Sequence, residues 1–461
     1  MVRVITQETF DGVVKENVED LDMDPEEAIQ DAIKQFEAQG VDLTNIVTTQ
    51  ADLSQEHKIV NLINQLKTLN GQAAGEVDLP ELKDSLQGLK GECDLDIAHK
   101  VMAGKAGAYQ LLLDLLEKHE EDHSISILVL SCITSLMTGQ PDLLTERGVK
   151  AILNSMKSEN ELVVVQSLKL AKQCCLRHEM NRQLFIEFEL APQLTNLLSS
   201  ASSPVARHTC SVLRSLILDD DIRVPFGKAH EHARLIASDC GGLQSISHLL
   251  KEHKSDIETV NELLQTLGAL VVREEFCREV EEAGGLTFLL EMMVTYMDDE
   301  KINRQAIKLL KALAGSDAVK VKIVQAEAIP LLISAISRHQ SSQQLFLIGI
   351  LAIAAISLRS PANSQMLCDC GVAELITQGM KEHLKNSDIQ KNCALAIRNI
   401  VSRNRELCKD FVDLNIEDLL HLSVKVHGAA VEENIKDALR DLGLKVHLTE
   451  RWTGTGKGLE Q

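Results

Sequence analysis

The chain has 461 residues, with 47 Lys and Arg against 68 Asp and Glu, so its net charge is −21. A chain this acidic repels phosphate backbones and anionic membrane surfaces unless a basic patch forms locally. Aromatic residues make up only 3% of the chain, whereas proteins that bind single-stranded nucleic acid stack the bases on aromatic side chains. We therefore expect protein partners, and neither a nucleic acid nor a membrane.

The cysteines and the apolar runs indicate an intracellular protein. Eleven cysteines are scattered without paired spacings, which is typical of reduced, buried thiols and not of a disulfide framework. The first residues, MVRVITQETFDGVV, contain no apolar signal segment. The longest apolar run, residues 345–358, is shorter than the roughly 20 residues of a membrane-spanning helix. We expect a cytosolic protein, with the nucleus as an additional location.

The chain begins with an acidic segment. Residues 1–90 carry 18 acidic and 7 basic side chains. Asp24 followed by Pro25 predicts a helix start, because an aspartate caps the first turn and proline suits the first helical position. Gly40 predicts its end, and a second amphipathic helix is predicted over residues 54–69. We interpret residues 1–90 as a separate, loosely attached helical extension.

From residue 91 the sequence repeats with a period near 42 residues. Each repeat contains a short helix pattern, a polar gap and a longer helix pattern, without the alternation typical of strands. One such repeat cannot bury its own apolar face, so the pattern predicts an all-α solenoid over residues 91–445, followed by a tail over residues 446–461. The short helices are predicted to start at Gly107, Gly148, Leu190, Gly242, Gly285, Ala328, Gly371 and Asn415.

The period, and segments such as CDCGVAELITQGMKEHLKNSDIQKNCALAIRNIVSRNRELCKDF at residues 368–411, resemble armadillo repeats. The resemblance implies three helices per repeat, the second opening after a glycine turn and the third being the longest. It also implies a right-handed superhelix whose third helices line a concave groove. It implies no catalytic activity.

The third helices lack most of the family's peptide-binding pattern. Peptide-binding armadillo proteins carry Trp-x-x-x-Asn there, and the asparagines hold an extended peptide backbone. In this chain no third helix has the tryptophan, and only Asn399 matches the asparagine. The resemblance implies that Asn399 holds a peptide backbone group locally. Capture of a basic peptide by a nuclear-transport-like adaptor is the alternative, and the missing pattern disfavours it.

Four third helices instead carry basic residues at positions i, i+4 and i+7, which share one helix face. Nine of these twelve positions are Lys or Arg and none is acidic. Stacked repeats would align them into a positive stripe that favours acidic or phosphorylated partner segments; the alternative is an ordinary solvated face. The acidic residues 20–27 of the same chain are a candidate occupant. The basic positions are Lys169, Lys172, Arg207, Arg214, Arg304, Lys308, Lys311, Lys391 and Arg398.

Two other features interrupt the repeat pattern. The seventh repeat has Leu347, Leu351 and Ala354 at the three positions, which indicates either burial against a neighbouring repeat or an apolar pocket for a partner helix. The spacing of 52 before Gly242 indicates an insertion, which we assign to residues 219–232, DDDIRVPFGKAHEH. A long loop on a rigid scaffold suits recognition, and a neutral insertion is the alternative. Its candidate contact residues are Arg223, Phe226, Lys228, His230 and His232.

Motifs for catalysis are weak. The segment HEEDH at residues 119–123 matches the HExxH zinc motif, but it lies in a charged gap between two repeat helices and no third ligand is apparent. Residues 454–458, GTGKG, lack the spacing of a phosphate loop, and the single tryptophan, Trp452, stands beside them. A zinc-dependent hydrolase is the alternative from another class. We favour a non-enzymatic protein-interaction scaffold or adaptor that needs no metal or cofactor.

Overall fold

The computed structural model of the chain describes residues 3–49, 57–73, 77–199, 202–271 and 274–446. The predictions for Trp452 and the glycine-rich segment fall outside these residues. Within them the chain forms 27 α-helices, which confirms the all-α prediction. The described strands are β1 (Arg3–Val4) and β2 (Val41–Asp42), a short parallel pair. The chain divides into two compact units, Met1–Ile236 and Ala237–Gln461.

The first unit opens with a helical pair, α1 (Gln7–Glu19) and α2 (Pro25–Ala38). The Asp24 carboxylate accepts a hydrogen bond from the Glu26 amide at 3.0 Å, so the predicted start of α2 is confirmed. Phe10 of α1 and Phe36 of α2 are buried against each other, with ring centroids 6.0 Å apart. This small core holds the pair together.

The next helices of the first unit continue as a stack. Helix α4 spans the predicted boundary at residue 90 and packs along α7, as α7 packs along α9 and α9 along α12. These four long helices form a row. The helices after α2 are α3 (Lys58–Gly71), α4 (Leu79–Leu95), α5 (Ile97–Lys105), α6 (Ala108–Lys118), α7 (His123–Met137), α8 (Glu146–Ser155), α9 (Glu161–Cys175), α10 (Glu179–Glu187), α11 (Leu190–Leu198), α12 (Ser203–Leu216) and α13 (Ala229–Arg234), with a 3₁₀ turn at Pro141–Leu143.

The second unit is a stack of the same kind. Its long helices α15, α18, α21, α24 and α27 pack side by side in that order. The remaining helices connect and cover this row. The helices are α14 (Gly242–Glu252), α15 (Ile257–Leu270), α16 (Glu274–Glu282), α17 (Gly285–Thr295), α18 (Glu300–Leu313), α19 (Asp317–Gln325), α20 (Ala328–Arg338), α21 (Gln343–Ser357), α22 (Pro361–Asp369), α23 (Val372–Glu382), α24 (Ser387–Val401), α25 (Cys408–Val412), α26 (Ile416–His427) and α27 (Ala429–Asp441), with a 3₁₀ turn at Arg405–Leu407. A π-helix, Leu235–Asp239, begins at the penultimate residue of the first unit.

Two local signals set the helix boundaries in most repeats. A polar side chain caps the start of the long helix; the Asp122 carboxylate, for example, accepts from the amides of Ser124 and Ile125 at 2.9 and 3.2 Å. A residue with positive φ precedes the second helix, usually glycine because the left-handed conformation costs other residues free energy. Seven of the eight predicted starts lie at or next to the first residue of a second helix, and the eighth, Gly148, is the third residue of α8. The positive-φ residues are Gly107, Glu189, Gly241, Gly284, Glu327, Gly371 and Asn415.

Candidate functional site

In the second unit, the basic residues of α18 lie on the row of long helices. Lys308 is exposed and Lys311 is partly buried. Neither lysine makes an ion pair with any residue that the structure describes. Arg304 is partly buried, and its guanidinium donates a hydrogen bond to the side-chain oxygen of Gln344 on α21. The lysines of α18 are therefore the uncompensated charges, while Arg304 also links two helices.

Helix α24 carries one uncompensated cation and one neutralised cation. Lys391 is exposed and makes no ion pair among the described residues. Arg398 binds Asp437 through Nη1 at 2.8 Å and Asp441 through Nε at 3.2 Å, both on α27. The positive stripe is therefore weaker at Arg398 than sequence reasoning suggested. Sequence reasoning missed Asp437 and Asp441 because they lie on the next long helix, although their i, i+4 spacing on α27 was visible in the sequence.

Asn399 joins two long helices of the second unit. Its Nδ2 donates to the carbonyl oxygen of Ala354 on α21 at 3.0 Å. One amide hydrogen is therefore used inside the protein, and the side chain is partly buried. Its role in holding a peptide backbone stays a prediction.

Helix α21 presents an apolar surface between α18 and α24. Leu347, Ile348 and Leu351 are partly buried, whereas Ala354 is 6% exposed. The two leucines thus keep some surface in solvent, and the alanine belongs to the core. We call five residues on these three helices, which pack side by side, the lysine-flanked face: Lys308, Lys311, Leu347, Leu351 and Lys391.

The other basic positions lie in the first unit. Lys169 and Lys172 are on α9, and Arg207 and Arg214 are on α12, which packs against α9. Lys172 is exposed and the other three are partly buried. The acidic residues 20–27 lie at the turn into α2, and their carboxylates make no ion pair with the described residues of this unit. Their docking on a basic face stays a prediction.

The inserted loop is held in place by two of the residues predicted to recognise a partner, Arg223 and His232. The Arg223 guanidinium binds Asp221 Oδ1 at 2.9 Å and Asp142 Oδ1 at 3.2 Å. The buried His232 ring donates from Nδ1 to the Leu216 carbonyl at 3.0 Å. By contrast Phe226 is 91% exposed, and Lys228 and His230 are exposed too. The loop thus separates anchoring residues from presented ones.

Buried charges beneath the loop complete the anchor. Arg182 is fully buried and binds Glu179 at 2.9 Å and Asp220 at 2.6 Å. Burial raises the pKa of Glu179, but hydrogen bonds from Gln183, the Lys228 amide and Arg182 outweigh this and leave the pKa below its ordinary value. Hydrogen bonds from Arg223 and from the Glu179 amide hold the pKa of Asp221 well below its usual range. These carboxylates are therefore charged at neutral pH and fix the loop.

The HExxH segment lies across a turn. Helix α6 ends at Lys118 and α7 begins at His123, so His119 lies in the turn after α6 and the motif does not fall on one helix. His119 is buried, its Nε2 has no hydrogen-bond partner, and burial lowers its pKa. Within the described ranges, no three His, Cys, Asp or Glu side chains come together in a group that could hold a metal ion.

All eleven cysteines are thiols that form no disulfide, and seven of them are buried. Burial raises the pKa of Cys93 to about 12, so this thiol is protonated at neutral pH. Among the helices that the structure describes, none is both long and apolar enough to cross a membrane.

Sequence reasoning missed a ladder of hydrogen bonds along the second unit. Near the end of four second helices, a ring side chain reaches the turn of the preceding repeat. Tyr296 Oη donates to the Lys254 carbonyl at 2.7 Å, and His383 Nε2 bonds the Gln340 carbonyl at 2.7 Å. The recurrence of histidine at the repeat period was the available signal. The other two rungs are His339 Nε2 to the Met297 carbonyl at 2.9 Å and His427 Nε2 to the Leu384 carbonyl at 2.7 Å.

Stacked helical repeats with this order of helices define an armadillo-repeat solenoid. Among solved structures, an engineered protein is similar over 95% of this chain and 99% of its own, with a TM-score of 0.70 and 17% identity. A chain from work on a phosphorylation switch in the interaction between cadherin and β-catenin aligns with a TM-score of 0.58 and 13% identity, over 82% of this chain and 69% of its own. These likenesses concern the fold.

Comparison with known sequences identifies a family within the class of armadillo-repeat proteins. The ARMC6 family model matches residues 59–460, and the model of the armadillo repeat-containing protein 6 N-terminal domain matches residues 2–61. The armadillo repeat-containing protein 6 homolog of Drosophila melanogaster is 40% identical over 468 residues, covering 99% of each chain. Armadillo repeat-containing protein 6 of Homo sapiens is 33% identical over 382 residues, 79% of this chain and 75% of that protein. The chain belongs to the armadillo repeat-containing protein 6 family, and proteins of this fold are typically non-catalytic scaffolds.

Proposed function

We propose that the chain is a non-enzymatic scaffold or adaptor of the cytosol or nucleus that binds acidic or phosphorylated segments of other proteins. The binding surface is the lysine-flanked face of the second unit. The observation that carries the proposal is the exposure of Lys308 and Lys391, which make no ion pair with the described residues and lie on the two long helices that pack against α21.

The chemistry of this face determines which ligand charge it favours. The exposed ammonium groups of Lys308 and Lys391, which make no ion pair within the part of the chain that the structure describes, favour carboxylate or phosphate oxygens through charge-assisted hydrogen bonds. The leucines between them supply apolar area, which contributes to affinity without regard to charge. Arg398 contributes less, because Asp437 and Asp441 already bind its guanidinium.

The same features count against the alternative of a basic peptide. Lys308 and Lys391 repel a cationic ligand, so contacts between like charges would reduce the affinity for a basic peptide. Binding an extended backbone needs repeated amide groups, whereas Asn399 directs one amide hydrogen to Ala354. We therefore retain acidic segments as the ligand class.

A peptide titration tests the proposal. The probe is a fluorescent peptide in which leucines alternate with glutamates, compared with a form in which lysines replace the glutamates. We expect the acidic peptide to bind and the basic one not to. Lys308→Glu combined with Lys391→Glu should weaken acidic-peptide binding by about tenfold or more, measured by fluorescence anisotropy.

The matched control makes the same charge change elsewhere in the second unit. Lys381 and Lys385 are exposed, at the end of α23 and in the turn that follows. Lys381→Glu with Lys385→Glu should leave the affinity within about twofold, since a screened charge outside the site acts weakly. An equal loss in both double variants, or equal binding of the two peptides, would contradict the proposal.

A further inference from the structure

The inserted loop of the first unit carries two large apolar side chains that contact almost nothing. Ile222 is 101% exposed and Phe226 is 91% exposed, the two highest values among the large apolar residues that the structure describes. Single exposed apolar residues are common on proteins. Here two of them lie four positions apart in one loop, and we call this pair of side chains the loop knob.

The loop beneath the knob is fixed from several sides. The Val224 amide donates to the Asp221 carbonyl at 3.0 Å, which closes a turn with Ile222 at its corner. The Asp221 carboxylate accepts from the Glu179 amide at 3.0 Å. The Lys228 amide donates to the Glu179 carboxylate at 2.7 Å, on the other side of Phe226. The backbone is therefore held at both ends of the knob.

The network that anchors the loop consists of buried charged groups. Glu179 is 1% exposed, Arg182 is fully buried and Asp221 is 6% exposed. Burying charged groups is costly unless each one is paired and hydrogen-bonded, and here each one is. This network positions a loop whose outward-facing apolar side chains add nothing to the core of the fold. Preorganised apolar side chains lose little conformational entropy on binding, which is the property of an interaction anchor.

We infer that the loop knob is a docking element that inserts Ile222 and Phe226 into an apolar pocket of a partner protein. The inference goes beyond the proposed function, because the knob belongs to the Met1–Ile236 unit and selects its partner by shape and apolar contact. Charge is not the selecting property, since Arg223 is already bound to Asp221 and Asp142. The anchoring residues Arg223 and His232 position the knob and do not touch the partner.

A second copy of this chain is a poorer occupant than a different protein. An aromatic side chain offers roughly 150–250 Å² of surface. Even if each isoleucine is counted at this size, the four side chains of two knobs meeting tip to tip would bury roughly 600–1,000 Å², which does not exceed the lower limit of about 1,000 Å² for a specific interface. A concave pocket that surrounds the knob buries the same side chains completely and reaches the loop on either side.

Site-specific photo-crosslinking tests the inference in cells that express the full chain. The photo-reactive amino acid p-benzoylphenylalanine replaces Phe226 in one chain and the exposed His230 of the same loop in the control. We expect one protein adduct from position 226 that is absent from position 230. Mass spectrometry should place the attachment point on the partner among apolar residues.

The captured partner is then purified and its affinity for the full chain is measured by calorimetry. Phe226→Ala and Ile222→Ala should each weaken binding by about 30-fold, as expected for an anchor residue. His230→Ala should change the affinity by less than about twofold. Because Phe226 and Ile222 are exposed, these variants should keep the thermal midpoint of the wild-type chain.

Each other outcome would overturn the inference. These outcomes are no adduct at position 226, an equal adduct at position 230, an adduct with a second copy of the chain, or an unchanged affinity of Phe226→Ala for the captured partner. The double variant Lys308→Glu/Lys391→Glu should still form the adduct, so failure of the proposed function and failure of this inference can be told apart.

Discussion

At the scale of single residues, two glutamates stand where other repeats have glycine. Glu189 has φ +59° and Glu327 has φ +56°, at the turn before a second helix. The left-handed conformation costs a residue with a side chain about 1–2 kcal/mol. These two repeats therefore carry a local cost that the repeats with glycine at this position avoid.

Glu327→Gly should stabilise the chain. The substitution removes the left-handed penalty but increases the conformational entropy of the unfolded chain, so we expect a net gain of about 0.5–1 kcal/mol. Urea unfolding measures this difference. A loss of stability would show that the Glu327 side chain makes a stabilising contact that outweighs its backbone cost.

The reverse substitution is the control. Gly371 has φ +85°, and a Cβ at this position would have no heavy atom closer than 3.6 Å. Gly371→Ala should therefore be penalised by its backbone alone, with a loss of about 1 kcal/mol. A loss much larger than this would indicate a steric contact in addition to backbone strain.

The anchor of the loop knob makes a pH prediction. The pKa of Asp221 is lowered in the folded chain, so its charge stabilises the fold fully above the ordinary aspartate pKa of about 4. This contribution is lost as the pH falls through the lower folded pKa. Asp221→Asn should therefore reduce the urea midpoint relative to wild type at pH 7, and the two midpoints should converge as the pH falls well below 4. A difference that does not change with pH would contradict the prediction.

At the scale of structural elements, the hydrogen-bond ladder ties each repeat of the second unit to the one before it. Each rung uses the ring of a residue near the end of a second helix and a turn carbonyl that would otherwise need water. His383 also packs on Phe346, with ring centroids 5.2 Å apart. Because the rung bonds backbone and not a particular side chain, the partner sequence in the turn is free to vary.

His383→Ala should destabilise the second unit by about 1–3 kcal/mol, because it leaves the buried rung without a donor and removes the contact with Phe346. His421 on α26 is exposed, so His421→Ala is the matched control, with an expected change within about 0.5 kcal/mol. Urea unfolding of both variants gives the comparison. Similar values for the two variants would show that the rung contributes little.

The helices were largely predictable from the sequence, and their side-chain partners were not. Asp24 and Pro25 predicted the start of α2, and Gly371 predicted the turn before α23, because caps and turns depend on neighbouring residues. Arg398 was predicted to be available to a ligand, yet the structure pairs it with two aspartates on the next long helix. Such a partner lies about one repeat away in sequence, and only the stacking geometry brings it close.

In the inserted loop, too, the position of the element was predictable from the sequence and the partners of its side chains were not. The sequence located the insertion by its repeat spacing, and it selected Phe226 together with Arg223 and His232. Residue type alone does not show which side chains of a loop bond to the protein itself and which remain exposed, because the same residue types occur in both roles. The distinction depends on Asp142 and Glu179, which approach the loop from other elements of the first unit.

At the scale of the whole molecule, charge is the dominant global property. The net charge of −21 produces repulsion within each folded unit, and salt screens it. Uncompensated lysines such as Lys308 are the exception to the acidic background. Stability and ligand binding should therefore respond to salt in opposite directions.

Raising the salt concentration from about 20 to 500 mM should increase the thermal midpoint, because the repulsion between acidic groups is screened. The same change should weaken binding of the acidic peptide, whose attraction to the lysine-flanked face is also screened. Differential scanning fluorimetry and anisotropy in one buffer series measure both. A midpoint that falls with salt would indicate that surface ion pairs outweigh the repulsion.

The ladder also bears on how such an array changes in length. His339, His383 and His427 each bond a carbonyl one repeat earlier, so three successive seams are closed by equivalent groups. Excision of residues 340–383 would place the Leu384 carbonyl directly after His339, where the Gln340 carbonyl stood, and His427 would still reach it. A whole repeat can thus be duplicated or deleted at this point while the hydrogen bond between histidine and turn carbonyl is kept at the new junction, which makes the turn after the second helix a natural splice point for gain or loss of repeats.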